Sequence, residues 1–407
     1  MTGGTIRVQI RKRLYYLFLV VAFVGNAADA ADWRFEPRVE LGGVYDDNYG
    51  LSSVSADELE VYGPLADLQL ALIRRSPLDD LSLVPRFNAT YFPDAKESDY
   101  ENYFLDARWA HRGERLRSDL RGSYAHQTVF ESEFTGTDIE GDLGDPGTGD
   151  TGRVTVRDSM DLVEVRERLT YRMTERWTID GVVGYRAADY DETESGDRVD
   201  YESFQGSAGV GWVVSPTSTV SVQVAAGRFE PDPGEISESY GAAVEWRKDL
   251  SESQRMYVRG GIANTDTERG AGLSSTSDTS FAGGVGADWT YEVTHVFVDL
   301  TATLEPSGIG NVVHRDQLRL SVARELSPRW SLLAGARVIR EESLGDEPGI
   351  DDRDYAAGSL GLEWRVSRQF AIKANYELQW QEYQNEPSDA VSNHVQLSVI
   401  YEPYRTE

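Results

Sequence analysis

The 407-residue sequence contains no cysteine. That excludes a disulfide framework, thiolate-held zinc and a thiol nucleophile. Basic residues are scarce: 40 Lys and Arg stand against 69 Asp and Glu, for a formal charge of −29. A chain that neutralised nucleic-acid phosphates would need a basic face, so nucleic acid is not expected as a partner. Histidine occurs only five times, at 111, 126, 295, 314 and 394, and never in a metal-ligand spacing such as HExxH. There is no Gly-x-Ser-x-Gly elbow either. Catalysis, a metal site and a cofactor are therefore not expected. Beyond residue 25 no apolar run approaches the roughly 20 residues of a membrane-spanning helix, and heptads and 3.6-residue stripes are missing. The high charge does not make the chain disordered, because it carries 9 Trp, 21 Tyr and 13 Phe.

The first thirty residues form an export leader. Arg7, Arg11, Lys12 and Arg13 precede a short apolar stretch at 14–25, and Ala28-Asp29-Ala30 supplies a small-x-small cleavage pattern. Cleavage there leaves a mature chain of 31–407 as a single domain. No cysteine follows the cut, so a lipoprotein is not expected. Only Ala31 and Asp32 precede the first strand, which leaves no room for an amino-terminal plug domain.

The mature chain repeatedly alternates apolar and polar residues over nine to thirteen positions, the mark of strands with one greasy and one wet face. In the run 370–380, Phe370, Ile372, Ala374, Tyr376, Leu378 and Trp380 share one face, and Lys373, Asn375, Glu377 and Gln379 share the other. Two kinds of connection alternate between such runs. Eight are short, around 76–80, 112–114, 174–176, 215–218, 249–253, 293–295, 327–329 and 367–369. Nine are long, acidic and Gly-rich, around 46–58, 93–100, 130–158, 189–199, 230–236, 265–277, 305–312, 341–354 and 382–391. This asymmetry implies an all-β fold: a transmembrane antiparallel β-barrel of about 18 strands (16–18), with short periplasmic turns and long acidic extracellular loops. Lipid offers a backbone amide no partner, so such a sheet must close on itself. A barrel of that size keeps an aqueous lumen, and 130–158, the longest loop, is the expected segment to fold into it.

Tryptophan placement agrees. Trp109, Trp177, Trp212, Trp246, Trp289, Trp330 and Trp364 each sit within a few residues of a short turn, as an interfacial girdle requires. Tyr91, Phe92, Tyr103, Tyr190, Tyr201, Tyr240, Tyr355 and Tyr383, near the long loops, are the expected opposite girdle.

Charge inside the barrel is uneven. On three consecutive expected strands the inward positions carry Arg108 and Arg112, then Arg115, Arg117 and Arg121, then Arg166, Arg168 and Arg172, interleaved with Asp106, Asp119 and Glu164. Guanidinium binds carboxylate bidentately, so this wall reads as a track or constriction for anionic groups such as uronic acids. It reads equally as cross-strand Arg–carboxylate pairing, or, near the short turns, as arginines reaching the headgroups. The carboxylates of 130–158 and 341–354 lack the spacing of a calcium loop and read as solvated loops facing lipopolysaccharide. Glycines at 206–211 and 283–286 fall inside strands, where they mark bends or close side-chain approach.

The mature start, WRFEPRVELGGVYDDNYG at 33–50, resembles the first strand of the outer-membrane β-barrel porins found with exopolysaccharide and exosortase (PEP-CTERM) systems. The resemblance implies an 18-stranded barrel taking part in polysaccharide secretion across the outer membrane of a Gram-negative bacterium. It supplies no catalytic residues. The chain departs from many outer-membrane proteins at its end, where the strand at 391–401 is followed by EPYRTE and not closed by a terminal Phe. The expected function is thus an outer-membrane channel for export of an extracellular polysaccharide, anionic or neutral, with arginines meeting carboxylates and tyrosine faces meeting sugar rings. The expected partners are outer-membrane lipid, lipopolysaccharide and periplasmic export proteins. A general diffusion porin for small solutes and a closed structural or adhesive barrel are the alternatives.

Overall fold

The alternating runs become strands. In the computed structural model, the residues described are 32–55, 57–129, 159–191, 198–268, 276–344, 352–384 and 388–403. The leader at 1–30 and the loop 130–158 lie outside them. The strands are β1 (Asp32–Asp46), β2 (Val61–Arg75), β3 (Asp79–Thr90), β4 (Tyr100–Arg112), β5 (Leu116–Thr128) and β6 (Ser159–Arg172). They continue as β7 (Trp177–Tyr190), β8 (Asp200–Ser215), β9 (Ser218–Asp232), β10 (Ser237–Ser251), β11 (Gln254–Thr267) and β12 (Thr276–Tyr291). The last six are β13 (Thr294–Pro306), β14 (Val312–Ser327), β15 (Trp330–Ser343), β16 (Arg353–Arg365), β17 (Phe370–Tyr383) and β18 (Ala390–Tyr401). Each pairs antiparallel with the next, and β18 closes on β1 from Val39↔Tyr401 to Asp46↔His394. The ring has 18 strands, as the loop count implied.

The tight connections have a local cause. Ser76, Thr174, Ser327 and Ser367 each accept, on the side-chain oxygen, the N–H three residues on, at 2.9, 3.1, 3.2 and 3.1 Å. These hydroxyl-closed turns end one strand and aim the next without spending a loop.

Inside and outside follow residue parity. On β17 the outward Phe370, Tyr376 and Leu378 are 42–45% exposed, while the inward Glu377, Gln379 and Gln381 are 2–7% exposed. Val183, Val224 and Ile262 stand 58–67% exposed at mid-strand on the outer face. An apolar surface that runs round the whole cylinder far exceeds the patches a soluble protein tolerates, whereas hydrocarbon solvates it. The chain is therefore an outer-membrane β-barrel of a Gram-negative cell. Ile262→Arg, on the outer face, should cost about 2–4 kcal/mol in a bilayer unfolding titration, while Ala263→Arg, one residue on and inward, should cost far less. Equal costs at the two positions would overturn the assignment of faces.

Candidate functional site

Antiparallel register turns the arginines of β4–β6 from a sequence pattern into a surface. Arg108 lies opposite Arg121, and Arg121 opposite Arg166, so three guanidinium-bearing positions stand side by side. One step nearer the short turns the row is Ala110, Asp119, Arg168, and the next is Arg112, Arg117, Thr170. Adjacent strands are only about 4.8 Å apart, so like charges directly opposite repel. Asp119 offsets part of this: one carboxylate oxygen accepts from Arg108 Nη2 at 2.5 Å and Nε at 3.0 Å, and the other from Arg121 Nε at 2.8 Å. The row above, Asp106, Ser123 and Glu164, supplies further acid, and Glu164 also holds Arg186 of β7.

Six of the eight arginines read from the sequence, Arg108, Arg112, Arg117, Arg121, Arg166 and Arg168, line one pocket of about 240 Å³ with Asp119. Arg115 does not join them. It lies in the turn after β4, where its carbonyl accepts the N–H of Arg172 at 2.8 Å, because the strand begins only at Leu116. Arg172 is the exposed last residue of β6, at the rim. Arg112 closes β4 and pairs with Asp80 at 2.9 Å.

Nine strands away, and so across the lumen, β13–β16 carry a second set of charges that the sequence reading passed over. Arg315, Arg319, Arg337 and Arg353 are 2–4% exposed. Glu341 receives Arg315 Nε and Nη2 at 2.9 and 2.5 Å and lies 3.8 Å from Arg353 Nη1. Asp299 receives Arg319 Nη2 at 2.8 Å and the Tyr257 hydroxyl at 2.7 Å. Tyr257 must cross β12 to do so, and Gly284 leaves it room: a Cβ there would sit 2.9 Å from the tyrosine oxygen and 2.7 Å from the Leu300 carbonyl. The glycine cluster read as a place of close approach is one. The signal for this wall was present as Arg315-x-Gln317-x-Arg319 between outward Leu318 and Leu320.

The long-loop end is narrowed from two sides. Leu51, in the loop after β1, is fully buried with Ile339 and Tyr355 of the far wall, and Gln381 Nε2 donates to its carbonyl at 2.7 Å. Opposite, the loop between β13 and β14 reaches across to β7–β8, where Val199 N–H donates to the Gly308 carbonyl at 2.9 Å. The expectation that 130–158 folds inward falls on residues outside those described. These two described segments enter the lumen, and the loop after β3 packs beside the first, with Phe92 and Ala95 buried in the same cluster.

Six lumenal aromatics are covered as well. Tyr201, Phe229, Tyr257, Phe297, Tyr355 and Tyr383 are 0–4% exposed, so their rings are packed and offer no face to a passing sugar. The same parity corrects the second girdle. Tyr91, Tyr103 and Tyr240 are exposed on the outside, but Phe92, Tyr190, Tyr201, Tyr355 and Tyr383 are buried, because a shift of one residue along a strand exchanges the two faces.

The sequence matches no protein-family model and no curated protein. Solved outer-membrane barrels resemble the fold. Pseudomonas aeruginosa OpdO is 12% identical, with 91% of this chain and 98% of that chain covered at a TM-score of 0.45. Pseudomonas aeruginosa OccK2 (OpdF), solved with glucuronate, is 8% identical, with 92% and 99% covered at 0.45. The ferric-catecholate import receptor Fiu of E. coli K12 is 10% identical, with 90% and 81% covered at 0.41. Likeness at this level bears on neither substrate nor direction of transport.

The histidines have local partners. Each histidine lies near an aspartate: His111–Asp79 at 2.9 Å, His126–Asp161 and His295–Asp288 at 3.0 Å, His394–Asp46 at 3.4 Å and His314–Asp316 at 4.0 Å. Trp109, Trp177, Trp212, Trp246, Trp289, Trp330 and Trp364 all sit on the outer face near the short turns. Two of their cross-strand pairs stack, Trp177–Trp212 at 6.1 Å and Trp330–Trp364 at 5.7 Å.

Proposed function

We propose that this barrel is a channel for anionic solutes, and that its cargo is an acidic polysaccharide leaving the cell. The observation that carries the reading is the in-register row Arg108, Arg121 and Arg166 above Arg168 and Arg117, with Asp119 the one carboxylate lining their pocket. Asp119 holds two of the guanidiniums, Arg108 and Arg121, in fixed orientation, so a passing carboxylate meets positive charge already held in place. A carboxylate passing the pocket meets donors in several rows and exchanges between them. No single contact need be strong, which a moving polymer requires. Recognition rests on guanidinium and not on tyrosine stacking, since Tyr190, Tyr201, Tyr257, Tyr355 and Tyr383 are packed away. Export is favoured by the first-strand resemblance. The seven outward tryptophans would anchor the short-turn end at the periplasmic interface, and lipopolysaccharide would meet the opposite rim.

A general diffusion porin for small anions is the second reading. It is favoured by the lumen beside β9–β12, where small inward residues such as Ala243, Ala263 and Ala282 are only half-buried. Replacing Arg117, Arg121, Arg166 and Arg168 together with Ser should cut polymer at the cell surface while leaving barrel abundance unchanged. Normal secretion from that variant removes the arginine role. Addition of polyuronate to a single channel separates the two readings: transient current block supports the polymer, and steady current supports the small-solute porin.

A further inference from the structure

The wall has a seam. β12 and β13 are both strand to their long-loop ends, yet the ladder between them stops at Gly283↔Ala302. The same register, continued, would set Ala282 opposite Thr303, Phe281 opposite Leu304, Ser280 opposite Glu305 and Thr279 opposite Pro306. Among the described residues none of these pairs forms. Thr303 to Pro306 keep their partners on β14, Arg315 to Val312, so the two strands stay paired as one hairpin.

That hairpin leans inward. Its loop reaches β7–β8 through the Gly308 carbonyl and Val199 N–H, Glu305 lies 3.9 Å from Arg186, and Ser307 is fully buried. Val312 packs against the cluster that contains Tyr190, Tyr201 and Phe229. On the outer side, His314 of β14 reaches past β13 and hydrogen-bonds the Phe281 carbonyl of β12 at 3.1 Å. A side chain thus covers a carbonyl that a continued ladder would cover with backbone, a need imposed by the absence of water in the bilayer.

The vacated stretch still reads as wall. Ala302 and Leu304 fall on the outward parity, and Thr303 and Glu305 on the inward one. Zipped to β12, it would present apolar groups to lipid and polar groups to the lumen with no change of register.

We propose that the long-loop end of the β13–β14 hairpin is a strap with two positions: tucked across the mouth, as seen here, and zipped to β12 by extension of the existing ladder. Zipping withdraws Gly308 from Val199 and opens the lumen beside β7–β9. The exchange is close to balanced because each position satisfies the same groups differently. Tucking gains the Val199 hydrogen bond, the Arg186 contact and the apolar packing, and zipping gains up to four residue pairs of ladder. The consequence for conduction rests on the channel reading, whereas the exchange itself does not.

The chain has no cysteine of its own, so introduced pairs report cleanly. Ala282→Cys with Thr303→Cys traps the zipped position under copper-phenanthroline oxidation. Val199→Cys with Gly310→Cys traps the tucked one, since a Cβ at 310 would lie 2.9 Å from a Val199 methyl. Gly310 has φ +92°, so Arg186→Cys with Glu305→Cys and a short bifunctional thiol reagent is the second tucked trap should the first fail to assemble. Both traps should close in folded barrels, by gel mobility. The zipped trap should raise unit conductance about twofold or more, reversibly with reductant, while the tucked trap holds it at or below the untreated level. His314→Ala should speed closure of the zipped trap. The proposal falls if the 282–303 pair stays open where a tucked trap closes fully, or if both close with equal conductance. Absence of current in every form refutes the channel reading, and the trapping pattern still decides the strap.

Discussion

Replacing Glu341 with Gln should destabilise the folded barrel by about 3–5 kcal/mol, the largest effect expected of any single lumenal substitution. Glu341 is 4% exposed and stands between Arg315 and Arg353, each about 2% exposed. A neutral amide keeps the shape of the carboxylate but removes a counter-charge that two buried guanidiniums share. Desolvated charge is costly only when uncompensated, so the loss exceeds the net worth of the ion pairs it removes. The measurement is the urea midpoint of the barrel in lipid vesicles, with Glu342→Gln as control. Glu342 and its partner Arg340 are 51% and 58% exposed, on the outer face beside the same strand end, and their loss should cost less than about 1 kcal/mol. If E341Q unfolds within about 1 kcal/mol of the native barrel, the β14–β16 wall is wet and the two inward loops do not seal it.

The second large effect is on selectivity. Arg121→Glu with Arg166→Glu changes two neighbouring members of one row and leaves Arg108 beside them. One unit charge acting at about 12 Å through an effective permittivity near 20 is worth about 1.4 kcal/mol, a factor of about ten in local ion concentration. Two reversals in a pocket that size should therefore lower the anion-to-cation permeability ratio by about tenfold or more. Reversal potentials in a salt gradient report it directly. Arg115→Glu with Arg172→Glu, at the exposed rim, alters the same formal charge but should change the ratio little, because bulk salt screens those sites within about 8–10 Å. A ratio shifted equally by both pairs would mean that the pocket is not on the conducting path.

The barrel was legible in the sequence because each of its determinants is local. Alternation such as 370–380 records a surface between two solvents, and a hydroxyl at Ser76, Thr174, Ser327 or Ser367 closes a turn within three residues. The arginines of β4–β6 were legible for the same reason, as inward parity on adjacent strands. Arg115 was misplaced because a one- or two-residue error at a strand end moves a side chain from wall to turn. Phe92, Tyr190, Tyr201, Tyr355 and Tyr383 were placed on the wrong face by the same margin. In each case the residue type was right for an interface, and only the count along the strand decided which interface it met.

What the amino-acid order determined by itself is therefore the cylinder: the number of strands, which end carries the long loops, and, at mid-strand, which residues face lipid. Only the tertiary structure decided that Arg108, Arg121 and Arg166 stand abreast, that Glu341 and Asp299 lie buried among arginines opposite them, and that the β13–β14 loop crosses to Val199. Those facts join residues far apart in sequence, through register and across an open lumen. Periodicity along one strand carries no information about the strand it faces.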